Sequence, residues 1–359
     1  MQKSILFVFE LEAGMIIAED VFSPTGQLLA PAHTRLDNAS IKKLRLYNIT
    51  TVAVIDDNNE VRKIDGIEPT YCERVRQSAD FQAFKAEYTQ NLEDFHDAIN
   101  DIVKHNAPVD TNALLEETGS LLEATENSFY LFDMLHNMRE FDDVTFAHCL
   151  NVALIANMMG KWLKFPEEDI KVLTLCGLLH DIGKLTTPEH ILMKPGKLTD
   201  GEYDIIKNHV KDGYQYLKKQ DIDPRIKEAC LFHHERCDGT GYPYGFTSKK
   251  IPAFAKIISI ADVYDAMTAK RVYRGPICPF TVVKFLESEG YSKYDPHYLL
   301  PFLENVVATY INTTVRLNNG QTGDVVLLNK LSPSKPLLKC GHTFIDLYEH
   351  PELKIEAII

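Results

Sequence analysis

The stretch Leu178-Leu179-His180-Asp181-Ile182-Gly183-Lys184 decides the reading of this chain. An apolar helix pattern runs into an adjacent histidine and aspartate, and a lysine follows three residues after the aspartate. The pair offers one neutral nitrogen ligand and one carboxylate able to bridge two cations, and the lysine adds a compact positive charge that suits a phosphate. His-Asp dipeptides occur by chance in any long chain. Here the pair opens a series: His209, then His233-His234-Glu235, then Asp238-Gly239-Thr240-Gly241-Tyr242-Pro243, then Asp262.

The 359 residues suggest roughly two or three domains. Hydrophobic residues are 45% and charged residues 25%, enough for an ordinary globular core. A net charge of -13 argues against a DNA or RNA polymer as partner. Positive charge for a phosphate-ester substrate must therefore come locally, from metals and a few Lys or Arg. No apolar run reaches the ~18–20 residues of a membrane span. The N-terminal Met1–Glu10 run is too short for a signal sequence. Seven scattered cysteines without a CxxC pair read as reduced thiols, so the expected location is cytoplasmic, with no membrane association. Cys149 and Cys237 lie beside candidate ligands but read as small buried residues.

Four segments differ in character. Residues 1–66 mix short β-rich runs with one helix, an α+β accessory domain. Ile5–Phe9 and Thr51–Ile55 read as strands, Asp37 or Asn38 can cap a helix over Ile41–Leu46, and Gly26 and Pro31 mark turns. Residues 67–128 form an acidic helical connector. In it Phe81, Phe84, Tyr88, Leu92 and Phe95 recur at helical steps, Asn106-Ala107-Pro108 breaks the pattern, and a second helix covers Thr111–Leu122. So aromatic a stripe either makes a homodimer or packs on the chain's own catalytic domain. Residues 129–311 read as helix after helix, with Asp142 or Asp143, Pro166, Thr199 with Glu202, Pro224 and Pro252 as start signals. Residues 312–359 read as a small β module with strands at Thr314–Leu317, Asp324–Leu328 and Phe344–Leu347 and a turn at Asn319-Gly320. The fold class is mainly α.

Seven residues of the helical segment are candidate metal ligands: His148, His180, Asp181, His209, His233, His234 and Asp262. A lone histidine such as His148 or His209 is usually a packed or capping residue; the ensemble carries the reading. Asp262 follows the apolar Ile258-Ser259-Ile260-Ala261, which places a carboxylate where it needs a partner. Imidazole with carboxylate suits Fe, Mn, Zn or Ni. Seven ligands exceed the need of one ion and fit two, with Asp181 as the bridge. Two ions ~3.5–4 Å apart can hold a bridging hydroxide and clamp the attacking and leaving oxygens of a phosphoryl displacement.

His180-Asp181-Ile182-Gly183-Lys184, His233-His234-Glu235 and Asp238–Pro243, with Ile260–Thr268, Arg271, Tyr273, Arg274 and Asp295-Pro296, resemble the HD-GYP domain, a branch of the HD phosphohydrolase superfamily. The resemblance covers about residues 129–311 and implies an all-helical HD-type catalytic domain. It implies hydrolysis of a cyclic dinucleotide, chiefly cyclic di-GMP to linear pGpG and in some members on to GMP, at a bi- or trinuclear centre that often holds iron or manganese. A diguanylate cyclase (GGDEF) partner belongs to the same implied setting. Carried over by position, Lys184 contacts the scissile phosphate, Arg271 and Arg274 grip phosphate, and Asp265 orients a ligand or the nucleophile. Tyr242 either stacks on a guanine or belongs to a rigid turn. Trinuclear members carry a glutamate where this chain has Val144, and Asp143 would point about 100° away, so two ions are expected. The alternatives are a hydrolase of another cyclic dinucleotide such as cyclic GMP-AMP, a mononucleotide hydrolase, and a non-catalytic cyclic-dinucleotide sensor.

Overall fold

The structure, a computed structural model, describes residues 3–7, 11, 14–22, 28–37, 40–41, 43–44, 51–55, 75–105, 107–123, 128–138, 145–192, 194, 198–269 and 277–359. The chain divides into two compact units, Met1–Glu68 and Pro69–Ile359.

In the first unit β1 (Lys3–Phe7), β5 (Thr51–Ile55) and β2 (Ile16–Ile17) form an antiparallel sheet in the order β1-β5-β2, and β3 (Val21–Phe22) pairs with β4 (Leu28–Ala30). The expected Ile5–Phe9 strand is seen as Lys3–Phe7; residues 8–10, and the turn expected at Gly26, lie outside the described residues. Oδ1 of Asp37 accepts the Ser40 amide at 2.7 Å and starts the expected helical turn. Ile17, Leu36, Leu44, Val52 and Val54 form the core.

The second unit is helical with one terminal sheet. Its helices are α1 (Ala79–His105), α2 (Thr111–Glu123), α3 (Ser128–Met138), α4 (Phe146–Trp162), α5 (Glu167–Leu179), α6 (Glu189–Leu192), α7 (Asp200–Lys207), α8 (His209–Leu217), α9 (Pro224–Phe232), α10 (Ala253–Thr268), α11 (Pro279–Lys293) and α12 (Pro296–Ala308). None of the described helices is long and apolar enough to cross a membrane. α4, α5 and α10 are apolar nearly all round, as helices enclosed by others must be. α4 and α5 approach closely because Gly177 has no side chain: a Cβ there would lie 2.4 Å from the Cα of Ala153.

The aromatic stripe of α1 packs at home. Phe81, Phe84, Tyr88 and Phe95 are buried in the core shared with α4, and the Phe95 ring meets Phe146 edge-on at 6.0 Å. The apolar face that motivated a dimer is therefore already covered within the chain.

The sheet has the order β10-β6-β7-β8-β9: β6 (Thr314–Leu317), β7 (Thr322–Leu327), β8 (Leu337–Cys340), β9 (Thr343–Asp346) and β10 (Ile355–Ile358). The β6–β7 turn contains Gly320 at φ 83°, a left-handed position that suits glycine. Val315, Leu317, Val325 and Leu338 point into the helical core, and Glu287 of α11 accepts the Ser334 amide at 3.0 Å. The sequence pattern does not mark the β8 and β10 strands. Leu337-Leu338-Lys339-Cys340 does not alternate, and a register shift between Ile355 and Ala357 hides the period of β10.

Candidate metal centre

Helix ends bring the candidate ligands together. α5 stops at His180, and Asp181 (φ −105°, ψ 11°) turns the chain into a 3-10 segment, Ile182–Thr186. The Thr199–Glu202 capping box opens α7 as expected, but that helix closes at Asn208 and His209 is the first residue of α8. Asp223 caps α9, Pro224 takes its first position, and the helix ends just before His233 and His234. His148 projects from α4, and Asp262 and Asp265 from α10, which packs against it.

All seven candidate ligands converge, in two groups. Asp181, His209, His233 and His234 form one, and His148, His180 and Asp262 the other; within each, the ligand atoms lie within 4.8 Å of one another. Asp181 links them: its Oδ1 is 3.1 Å from His209 Nε2 and 3.7 Å from His233 Nε2, while its Oδ2 is 3.3 Å from His180 Nε2 and 3.7 Å from His148 Nε2. On the far side, Asp262 lies 3.1 Å from His148 Nε2 and 3.7 Å from His234 Nδ1.

Three imidazoles are held by the last turn of the helix that precedes them. Nδ1–H of His180 donates to the Gly177 carbonyl at 2.7 Å, that of His209 to Ile206 at 2.7 Å, and that of His233 to Cys230 at 2.9 Å. A carbonyl can only accept, so each Nε2 is left as a bare lone pair aimed at the cluster, the arrangement that orients metal-binding histidines. Nε2 of His209 and Nε2 of His233 lie 3.4 Å apart with no proton to share. His180 Nε2 and Asp181 Oδ1 are buried without a hydrogen bond. Orphaned buried polar atoms cost about 1–3 kcal/mol each, and a cation relieves them together. The donor set therefore fits one or more transition-metal ions, mixed imidazole and carboxylate.

Charge reinforces this. Burial lowers the His233 imidazole to about 4, keeping it neutral and ready to ligate. Burial would raise the Asp181 carboxyl, but Lys184 and His180 hold it well below the usual range. Asp262 is likewise held down, chiefly by its hydrogen bond with His148, against the effect of burial. His148 differs: burial presses it down, yet Asp262 and Asp265 outweigh it and raise the imidazole to about 9, so a cation at its Nε2 would have to displace a proton.

The other candidate residues are placed as follows. Lys184 Nζ donates to Asp181 Oδ2, so the lysine borders the cluster. Asp265 is buried beyond His148 and accepts its Nδ1–H at 2.7 Å, so it is turned to that candidate ligand. Tyr242 lays its ring on His234 at 4.7 Å and 30°, and its amide donates to the His234 carbonyl at 3.1 Å. Asp143, Val144, Arg271, Tyr273 and Arg274 lie outside the described residues.

Two residues had been given no role by the sequence. Glu235, 2% exposed, is no ligand: its two oxygens accept the amides of Tyr244 and Phe246, each at 2.8 Å. It staples the Gly241-Tyr242-Pro243 loop under the histidines; the available signal was a carboxylate between two histidines and a Gly/Pro-rich turn. Glu235→Ala should destabilise the protein by about 1–3 kcal/mol, because it leaves two backbone N–H groups unpaired. Urea denaturation checks this, and an unchanged midpoint would count against the staple. The second residue is Asn151, whose Nδ2 donates to Asp265 Oδ1 at 3.1 Å.

Residues 121–298 match the HD domain family. A cyclic di-GMP phosphodiesterase of Pseudomonas aeruginosa is 33% identical over 207 residues, 57% of this chain and 50% of that protein. A cyclic di-GMP phosphodiesterase of Thermotoga maritima is 32% identical over 197 residues, 53% of each chain. A 3'3'-cGAMP-specific phosphodiesterase of Vibrio cholerae is 42% identical over 145 residues, 40% of this chain and 34% of that one. The chain thus spans about half the length of these relatives, or less. The seven clustered residues all fall inside the matched segment, and that segment is an HD domain.

Proposed function

We propose that the protein is a metal-dependent phosphodiesterase that hydrolyses cyclic di-GMP to linear pGpG, and on to GMP, at a binuclear iron or manganese centre. The observation that carries this reading is the pair of ligand groups joined through Asp181, inside the segment shared with relatives named for that activity. His148, His180 and Asp262 would hold one ion and His209, His233 and His234 the other, with Asp181 between them. Bound there, the ions supply Lewis acidity toward phosphoryl oxygens. Lys184 offers its ammonium to the scissile phosphate, Asp265 keeps His148 turned, and Tyr242 buttresses His234. Arg271 and Arg274, outside the described residues, are assigned the remaining phosphate oxygens on the family resemblance. The GGDEF partner rests on that resemblance alone, and a homodimer would need a surface other than the α1 stripe. A cytoplasmic setting accords with the described cysteines, which are free.

A second substrate is favoured by one observation, the 42% identity to the 3'3'-cGAMP-specific enzyme. Anaerobically purified protein loaded with Mn(II) or Fe(II) should therefore be assayed on both cyclic di-GMP and 3'3'-cyclic GMP-AMP, with elemental analysis alongside. Two ions per chain and a linear product from cyclic di-GMP support the proposal. Three ions or one overturn the binuclear centre, turnover of cyclic GMP-AMP alone reassigns the substrate, and binding without turnover makes the domain a sensor.

Lys184→Ala should keep the metal and slow turnover by about 10²–10³-fold, as the removal of one preorganised electrostatic contact does. If the variant came out empty of metal, the lysine's task would be to hold Asp181.

A further inference from the structure

A hydrogen-bond chain leads from α1 into the metal centre. Tyr88 lies on α1, outside the segment matched to the HD domain, and is 4% exposed. Its hydroxyl donates to Oδ1 of Asn151 at 2.7 Å, with the Ala147 carbonyl at 3.3 Å. An amide whose oxygen is engaged in this way must turn its NH2 group the other way, and Nδ2 of Asn151 donates to Oδ1 of Asp265 at 3.1 Å. The other Asp265 oxygen, Oδ2, accepts Nδ1–H of His148 at 2.7 Å. That bond fixes the tautomer of His148 and leaves Nε2 directed at Asp262 and Asp181. Donation converges on Asp265: Tyr88 gives to Asn151 and Asn151 to one carboxylate oxygen, while His148 gives to the other and turns its Nε2 toward Asp262 and Asp181.

We propose that Tyr88 and Asn151 are positioning residues for His148, so that metal retention at this histidine depends on α1 being seated against α4. The inference rests on the metal-centre reading above. It gives the helix that follows the N-terminal unit in sequence a physical handle on the centre. Withdrawing the Tyr88 hydroxyl frees the Asn151 amide to rotate, and Asp265 then loses the donor that holds it to His148. The bland alternative is that Asn151 merely satisfies a buried phenol, in which case metal binding ignores the substitution.

The test uses the full chain, stripped by chelator and titrated with Mn(II) alone, with free Mn(II) followed by electron paramagnetic resonance. Tyr88→Phe keeps the ring and removes the hydroxyl; it should weaken one class of Mn(II) site by about tenfold. Asn151→Leu should weaken it by about 10–100-fold, the range for losing a group that orients a ligand. Phe84→Leu is the control: Phe84 is equally buried one turn earlier on the same helix, packs on the Tyr88 ring and has no hydrogen-bonding side-chain atom, so this variant should melt earlier yet bind Mn(II) as the parent does. Parent-like affinity, within twofold, in both Tyr88→Phe and Asn151→Leu would overturn the proposal. So would an equal loss in Phe84→Leu. Should Tyr88→Phe fail to fold, Asn151→Leu against Phe84→Leu decides alone. A parent protein that takes up no Mn(II) and no Fe(II) would refute the metal centre itself, a different result from intact binding that the variants leave unmoved.

Discussion

Replacing Asp181 with alanine is expected to abolish turnover and empty the metal centre. The carboxylate is 1% exposed, and it stands between the two ligand groups, with His209 and His233 on one oxygen and His180 and His148 on the other. Neither neighbouring carboxylate stands where it does: Asp262 groups with His148, His180 and His234, and Asp265 bonds His148 and Asn151. In the proposed binuclear centre, loss of Asp181 would weaken both ions at once, so the rate should fall by at least about 10³-fold, more than the removal of a single electrostatic contact costs. The fold should survive. Lys184 loses its counter-charge, and an unpaired buried charge costs about 3–5 kcal/mol. Its side chain is 20% exposed, however, and can swing its ammonium to water. Elemental analysis of the purified variant, beside a turnover assay and a melting curve, makes the check. A folded variant still holding two ions per chain would remove Asp181 from the bridging role.

The candidate metal centre was legible in the sequence because four of its residues, His180, Asp181, His233 and His234, sit together where helices stop, and the helix starts around them are written in residue types. Pro224 and Pro252 mark starts that the structure shows, and Thr199 with Glu202 makes the capping box. The seven candidate ligands were therefore found as a set and are found together, with the buried Cys149 beside His180 and Asp181. What escaped was every feature that depends on a partner distant in sequence. Tyr88 reads as one aromatic of an amphipathic stripe, and nothing in its own segment says that Asn151 waits 63 residues on. Asn151 reads as a stray polar residue in an apolar helix. Glu235 sits inside a motif of ligands, and only the folded loop shows that its oxygens face backbone amides rather than the cluster. The break at Asn208 escaped for the opposite reason. It is local, but no Gly or Pro marks it, and His209 continues the pattern of α7 into a second helix.

Gly183→Ala is expected to be the most destabilising single methyl in the catalytic unit, and it tests whether the HD turn sets the position of His209. Gly183 lies two residues past Asp181, in the 3-10 segment that packs against α8. A Cβ there would fall 1.9 Å from the His209 carbonyl oxygen and 2.5 Å from the Gly213 amide. Both are backbone atoms, so no side chain can swing aside; the turn and α8 must separate. The glycine is not in the left-handed region, so the requirement is for space alone. Overpacking costs about 1–3 kcal/mol where side chains adjust, and a clash with backbone on two sides belongs at or above the upper end. Because the displaced atoms carry His209 itself, metal affinity should fall together with stability. Gly201→Ala supplies the comparison: Gly201 is in α7 with open space where its Cβ would lie, and alanine there should be neutral or stabilise by about 0.5–1 kcal/mol. Urea denaturation and Mn(II) titration of the two variants read both effects. If Gly183→Ala melted and bound Mn(II) like Gly201→Ala, the close packing of the HD turn on α8 would have to be abandoned as what holds His209 in place.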